Sequence, residues 1–356
     1  MRLVCCAVVF SFLAAAAEAD ETVLLASRRG GWIEAFHLNN FETAARIRVK
    51  GALEEVETSV GGDWMFLRIP HPQAADVCCG LFALNTQKLR MVAILWPALR
   101  PAIVGAKVFI QRGDSGVEVF DARSLVHLPT LVTLGTGVYQ LAPSPDGRWL
   151  FGASQFPTPG LDIFDVARGL MTRHIPVEDA AIVRGAWVGS QYYLVAMDNP
   201  GSARIWAVDS QDRGLGKSRT ISFGGAAPCQ PPDYYEAAAV GDRLAIYPEF
   251  GMKGDPRDAC AGPGGYFVAD PATGEASRRM APGLHLASLT AGSDGKSLYG
   301  LDVADPQWRD VRLVKLDVSS GEILARKTLP ADVWHLTLGN IPAGWEGRLD
   351  LEAVGP

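Results

Sequence analysis

The sequence predicts an all-β fold: a seven-bladed β-propeller of four-stranded antiparallel blades, closed into a ring by its N- and C-terminal strands. Three observations carry this reading. A short strand ending in a polar residue recurs seven times, the copies lie about 44 residues apart, and the two chain ends supply complementary parts of one blade.

The recurring strand reads Ile33-Glu34-Ala35-Phe36-His37, Gly80-Leu81-Phe82-Ala83-Leu84-Asn85, Val117-Glu118-Val119-Phe120-Asp121 and Leu161-Asp162-Ile163-Phe164-Asp165. It continues as Ile205-Trp206-Ala207-Val208-Asp209, Tyr266-Phe267-Val268-Ala269-Asp270 and Leu313-Val314-Lys315-Leu316-Asp317. Most copies lead into a turn with Gly or a small polar residue, such as Thr273-Gly274-Glu275 or Ser320-Gly321-Glu322, and then into another β-like run. Upstream lie turns such as Ser144-Pro145-Asp146-Gly147 and Ser293-Asp294-Gly295. Gly and Asp there supply positive φ or side-chain hydrogen bonds to the backbone. Each blade therefore runs strand A, turn, strand B, loop, strand C ending in the polar residue, turn, strand D.

At the ends, residues 22–26 read as strand B of the first blade, and residues 334–340 as an innermost strand A with no partner behind it. Pairing them closes the circle and removes two sheet edges. Residues 346–353 read as one further strand without a firm place.

The repeat from Ser144-Pro145-Asp146-Gly147 to Leu161-Asp162-Ile163-Phe164-Asp165 resembles the YVTN-type repeats of bacterial exported propellers. Those are grouped by structure with the large subunits of quinoprotein amine dehydrogenases. In that family, the resemblance implies, the quinone sits in a separate small subunit, so the propeller itself carries no cofactor.

Residues 1–19 read as a secretory signal: Arg2, an uncharged apolar run over residues 3–17, and Ala17-Glu18-Ala19 before Asp20. The expected product is a single domain, residues 20–356, exported to a periplasmic or extracellular space and without a stable membrane span. The formal charge of −6 offers no basic footprint for nucleic acid. Cys78, Cys79, Cys229 and Cys260 remain after residue 19, an even number suited to an oxidising compartment. Blade order places loops joining D to A and B to C on one face, and A–B and C–D turns on the other. The long irregular segments, 71–79, 156–160, 224–232, 250–265 and 302–311, all fall on the D–A and B–C face, where a binding surface is expected. Cys229 and Cys260 reach that face in one blade, and a disulfide between them would stabilise by roughly 3–4 kcal/mol in the chain-entropy model. Cys78 and Cys79, being adjacent, read as a strained vicinal disulfide, a redox-active pair or two reduced thiols at a strand start.

No G-x-S-x-G, phosphate-binding Gly loop, HExxH or CxxC occurs, so no catalytic residue, metal or cofactor is assigned. The candidate ligand face gathers at strand A starts: His285, Trp334 with His335, Tyr235 with Glu236, Gln140 and Glu55. Trp308, in the loop 305–310, reads as loop packing or partner contact. The leading function is a non-catalytic propeller that binds a protein or a small molecule through this face. One alternative is the propeller subunit of an amine dehydrogenase-type complex. The other, a channel-metal hydrolase or lactonase, requires His285 and His335 to approach a carboxylate within metal-bridging distance.

Overall fold

A computed structural model describes residues 21–59, 63–70, 79–95, 98, 101–111, 116–131, 137–156, 159–177, 182–199, 202–209, 214–222, 235–248, 264–305, 308–342, 345 and 347–354. Residues 1–20, which include the segment 1–19 read as the signal, lie outside them, as do most of the long loops. No helix occurs among the described residues, and the strands form seven sheets. The fold is a seven-bladed β-propeller.

The first blade holds β1 (Glu21–Arg28), β2 (Trp32–His37) and β3 (Thr43–Arg48), with β28 (Val333–Ile341) paired to β1 on the inner side. Leu24 faces Leu338 in that antiparallel ladder, so the expected ring closure occurs. The tail becomes β29 (Arg348–Glu352), laid parallel on the outer strand β3. The second blade is β4 (Glu55–Thr58), β5 (Trp64–Pro70), β6 (Cys79–Asn85) and β7 (Arg90–Leu95). The third is β8 (Pro101–Val104), β9 (Lys107–Gln111), β10 (Val117–Asp121) and β11 (His127–Leu131). The fourth is β12 (Gly137–Pro143), β13 (Trp149–Phe156), β14 (Gly160–Asp165) and β15 (Leu170–Pro176).

In the fifth blade, β16 (Ile182–Val188), β17 (Gln191–Asn199) and β18 (Ser202–Asp209) are followed by a split outer strand. Its two pieces, β19 (Gly214–Leu215) and β20 (Arg219–Ser222), both pair with β18. The sixth has β21 (Tyr235–Val240), β22 (Arg243–Pro248) and β23 (Phe267–Ala269). Its outer position is marked by the isolated bridges Tyr266–Met280 and Ala269–Ala276. The seventh is β24 (Leu286–Ala291), β25 (Ser297–Val303), β26 (Val311–Asp317) and β27 (Ile323–Leu329).

The recurring Asp has a local physical cause. The Oδ1 atoms of Asp121, Asp165, Asp270 and Asp317 each accept the backbone N–H groups two and three residues on, at 2.7–3.1 Å. This fixes the C–D turn before any tertiary contact forms. Two residues after the first of those donors the chain turns left-handed, at Gly169, Gly274 and Gly321 where the sequence supplies Gly. Phe41, Leu89 and Leu125 take the same conformation in the first three blades. The cost there is about 1–2 kcal/mol. Burial of Phe41, 2% exposed, offsets it by a comparable amount.

Successive residues on each strand B point into different inter-blade cores, as the two-residue period demands. Met65 and Leu67 pack toward the first blade while Phe66 packs toward the third. Leu150 packs toward the third and Phe151 toward the fifth. Leu298 packs toward the sixth and Tyr299, with Leu313, against Leu24 and Phe36 of the first. An apolar cluster fills each junction between consecutive blades, including the junction of the seventh with the first. The core is therefore itself a ring.

Candidate binding site at the channel mouth

The seven inner strands β28, β4, β8, β12, β16, β21 and β24 surround the central channel, and side chains fasten neighbours together. Gly185 N–H donates to Gln140 Oε1 at 2.9 Å, joining the fifth blade to the fourth. Arg184 Nε donates to Glu236 Oε1 at 3.1 Å, joining the fifth to the sixth. Ser288 Oγ donates to the Leu336 carbonyl at 3.3 Å, and Asn340 N–H to Thr58 Oγ1 at 3.2 Å. These four bonds tie neighbouring inner strands together.

The face assignment holds at the described contacts. The B–C turn of the first blade touches D–A loops on both sides: Arg29 N–H donates to the Asp332 carbonyl and Val49 N–H to the Gly31 carbonyl, at 2.9 and 2.8 Å. On the opposite face, Trp64 Nε1 beside an A–B turn donates to the Arg123 carbonyl of a C–D turn.

A cavity of about 210 Å³ opens at the mouth on the D–A and B–C face, between the inner strands of the sixth, seventh and first blades. Glu236, Tyr247, Ser288, Thr290, His335, Thr337 and the rings of Trp308 and Trp334 line it. The two indoles stack with centroids 4.8 Å apart and planes 24° from parallel. The Arg29 guanidinium lies 3.9 Å from the Trp334 ring centroid, a cation–π contact. Trp308 adopts φ +56°, a left-handed conformation that a bulky residue holds only under tertiary constraint. Trp308 is 5% exposed and stacks on Trp334, so what it offers a ligand is one wall of the cavity.

Four of the eight sequence candidates therefore meet here: Glu236, Trp308, Trp334 and His335. Three of the others make contacts that the structure describes. His285 precedes β24, where its N–H donates to Asp302 Oδ1 at 3.0 Å and its carbonyl accepts from Val303. Burial, the dominant influence, raises the pKa of Asp302, partly offset by the His285 N–H and by Arg312. Gln140 serves the inter-blade bond above. Glu55 is buried opposite Arg68, with Oε2 3.3 Å from Nε. Tyr235 begins β21, and its side chain lies outside the described residues. No group of three or more His, Cys, Asp or Glu able to hold a metal is found among the described residues, so the His285–His335–carboxylate constellation is not assembled there.

Arg29, Tyr247, Ser288 and Thr290 were not singled out in the sequence. The Arg28-Arg29-Gly30-Gly31 turn, a short B–C connection facing the channel mouth, was the available signal for Arg29. Cys79, buried at the start of β6, is disulfide-bonded. Its partner lies outside the described residues, as do Cys78, Cys229 and Cys260. No helix among the described residues is long and apolar enough to cross a membrane.

No protein-family profile matches the sequence, and no curated protein does. Solved structures do match in fold. A Bacteroides fragilis protein proposed to be a 6-phosphogluconolactonase is 11% identical, with a TM-score of 0.63 over 90% of this chain and 98% of that one. Hydrazine synthase of Kuenenia stuttgartiensis is 11% identical, with a TM-score of 0.59 over 82% and 90%. The dihydro-heme d1 dehydrogenase NirN is 16% identical, with a TM-score of 0.56 over 90% and 75%. Identity this low shows the propeller fold alone, on which many unrelated functions are built.

Proposed function

We propose that this chain is an exported binding protein whose ligand, or a side chain of a protein partner, enters the channel mouth on the D–A and B–C face. The observation that carries the reading is the cavity walled by the stacked Trp308 and Trp334, with Glu236 and His335 set beside them. The accessible lining is mostly polar, and the two indoles supply its aromatic wall, a composition suited to a polar ligand with one flat or apolar face. Glu236 is already tied to Arg184, which leaves it suited to orient a bound group through its remaining lone pairs. The disulfide at Cys79 supports an oxidising compartment, in keeping with residues 1–19 acting as a signal.

The test is purification of the chain from its native compartment, followed by native mass spectrometry of wild type and Trp308→Ala. A bound small molecule or protein that is lost from Trp308→Ala supports the reading. A species retained equally by both, or none on wild type, overturns it. Co-purification of a small cysteine-rich subunit carrying a quinone would instead favour the amine dehydrogenase-type assembly.

A further inference from the structure

A second concavity, of about 530 Å³, is lined by Arg29, whose guanidinium stacks on Trp334 of the first cavity. Three segments build it. The B–C turn of the first blade supplies Arg29 and Gly30, the D–A loop after β3 supplies Arg48 to Ala52, and the tail strand β29 supplies Glu352 and Ala353. Three cations, Arg29, Arg48 and Lys50, face one carboxylate, Glu352, on a chain whose formal charge is −6.

Arg29 is held in place by its stack on Trp334 and by a long ion pair with Glu54 Oε1 at 4.0 Å, while its buried Nε has no hydrogen-bond partner among the described residues. The Arg48 guanidinium lies 5.7 Å from the Trp32 ring centroid, and neither Arg48 nor Lys50 forms an ion pair among the described residues. Arg48 and Lys50, exposed at the hollow and without an ion pair among the described residues, leave cationic groups open to an oxyanion, and Arg48 can make bidentate contact with one. The hollow is also held in shape: the Ala353 N–H donates to the Arg48 carbonyl, and the Val49 N–H to the Gly31 carbonyl.

We infer that this basin binds a small oxyanion-bearing ligand, a phosphate or a carboxylate, through Arg29, Arg48 and Lys50. The site is separate from the indole-walled cavity, and neither assignment depends on the other. Isothermal titration of the full chain, after removal of any signal, with inorganic phosphate and with succinate tests it, with sodium chloride at matched ionic strength as the reference. Saturable binding of one probe identifies the oxyanion class, and binding of both identifies a site selective for charge alone. Arg48→Gln combined with Lys50→Gln changes two side chains on the solvent side of the hollow and should weaken that binding at least about tenfold. No saturable binding of either probe, or binding unchanged in the double variant, overturns the assignment. Intact circular dichroism and melting of the variant separate loss of the site from loss of the fold.

Discussion

Arg28 and Asp332, 304 residues apart, are joined by a 2.9 Å ion pair from Nε to Oδ1. The same guanidinium reaches Glu34 Oε1 at 2.7 Å, and the other Asp332 oxygen accepts the Gly30 N–H at 3.1 Å. One carboxylate thus ties the first blade's B–C turn to the loop that delivers the closing strand.

Asp332→Ala should destabilise by about 1–2 kcal/mol, since it removes a charge-assisted pair and strands a backbone donor at a half-exposed site. Denaturant melts of Asp332→Ala, Arg28→Ala and the double variant measure it. The two single losses should exceed the double loss in sum, because both remove one interaction. Strict additivity would show that the pair does not fasten the ring.

A harsher outcome is expected at Gly185. A Cβ there would stand 1.8 Å from Tyr192 Oη and 2.2 Å from its Cζ. Tyr192 is 1% exposed and packed against Phe151 and Trp187, so it has nowhere to go. Gly185→Ala should cost at least about 3 kcal/mol. Tyr192→Phe should be neutral or stabilising by about 1 kcal/mol, because its buried hydroxyl finds no partner among the described residues. Thermal melts of the two variants give the contrast directly.

Acid should act in two opposite senses. Hydrogen bonds from the Ser319 hydroxyl and the Ser320 N–H hold the Asp317 pKa down at about 2, and the turn amides depress Asp121 and Asp270 similarly. A carboxylate depressed on folding stabilises above its ordinary pKa, so that contribution is lost as pH falls from about 4 toward 2. Asp302 is raised, chiefly by burial, so its ionisation costs stability at neutral pH and that cost is relieved in acid. Asp317→Asn should flatten the acid loss. Asp302→Asn should be at least as stable as wild type at pH 7, and the advantage should vanish by about pH 3. Denaturant midpoints across that range decide both.

The blades were legible because their signal is local. Asp121, Asp165, Asp270 and Asp317 each close their own turn, so the marker survives without knowledge of any neighbour. The closing strand was legible from what β1 lacked. The parallel seat of β29 was not: residues 346–353 show a strand but not its partner, and β3 has the same exposed edge as any outer strand. At the site, strand order puts Glu236 and His335 at blade starts, and both line one cavity, because alignment of blade starts is a one-dimensional problem. It could not separate His285, whose N–H is committed to Asp302, from His335, which lines the cavity. Nor could it find the Trp308–Trp334 stack, where a loop of one blade meets the inner strand of the next.

The pairing of Glu21 with Ile341 also sets an order of events in folding. Six sheets can form from segments contiguous in the chain, but the first waits on a strand some 300 residues downstream, long after its own three strands have been synthesised. Until that strand arrives, Leu24 and Phe36 have no seventh blade to pack against and β1 keeps a bare edge. That closure is the most non-local strand pairing among the described residues, the kind that forms slowly and leaves an edge open to another chain until it does.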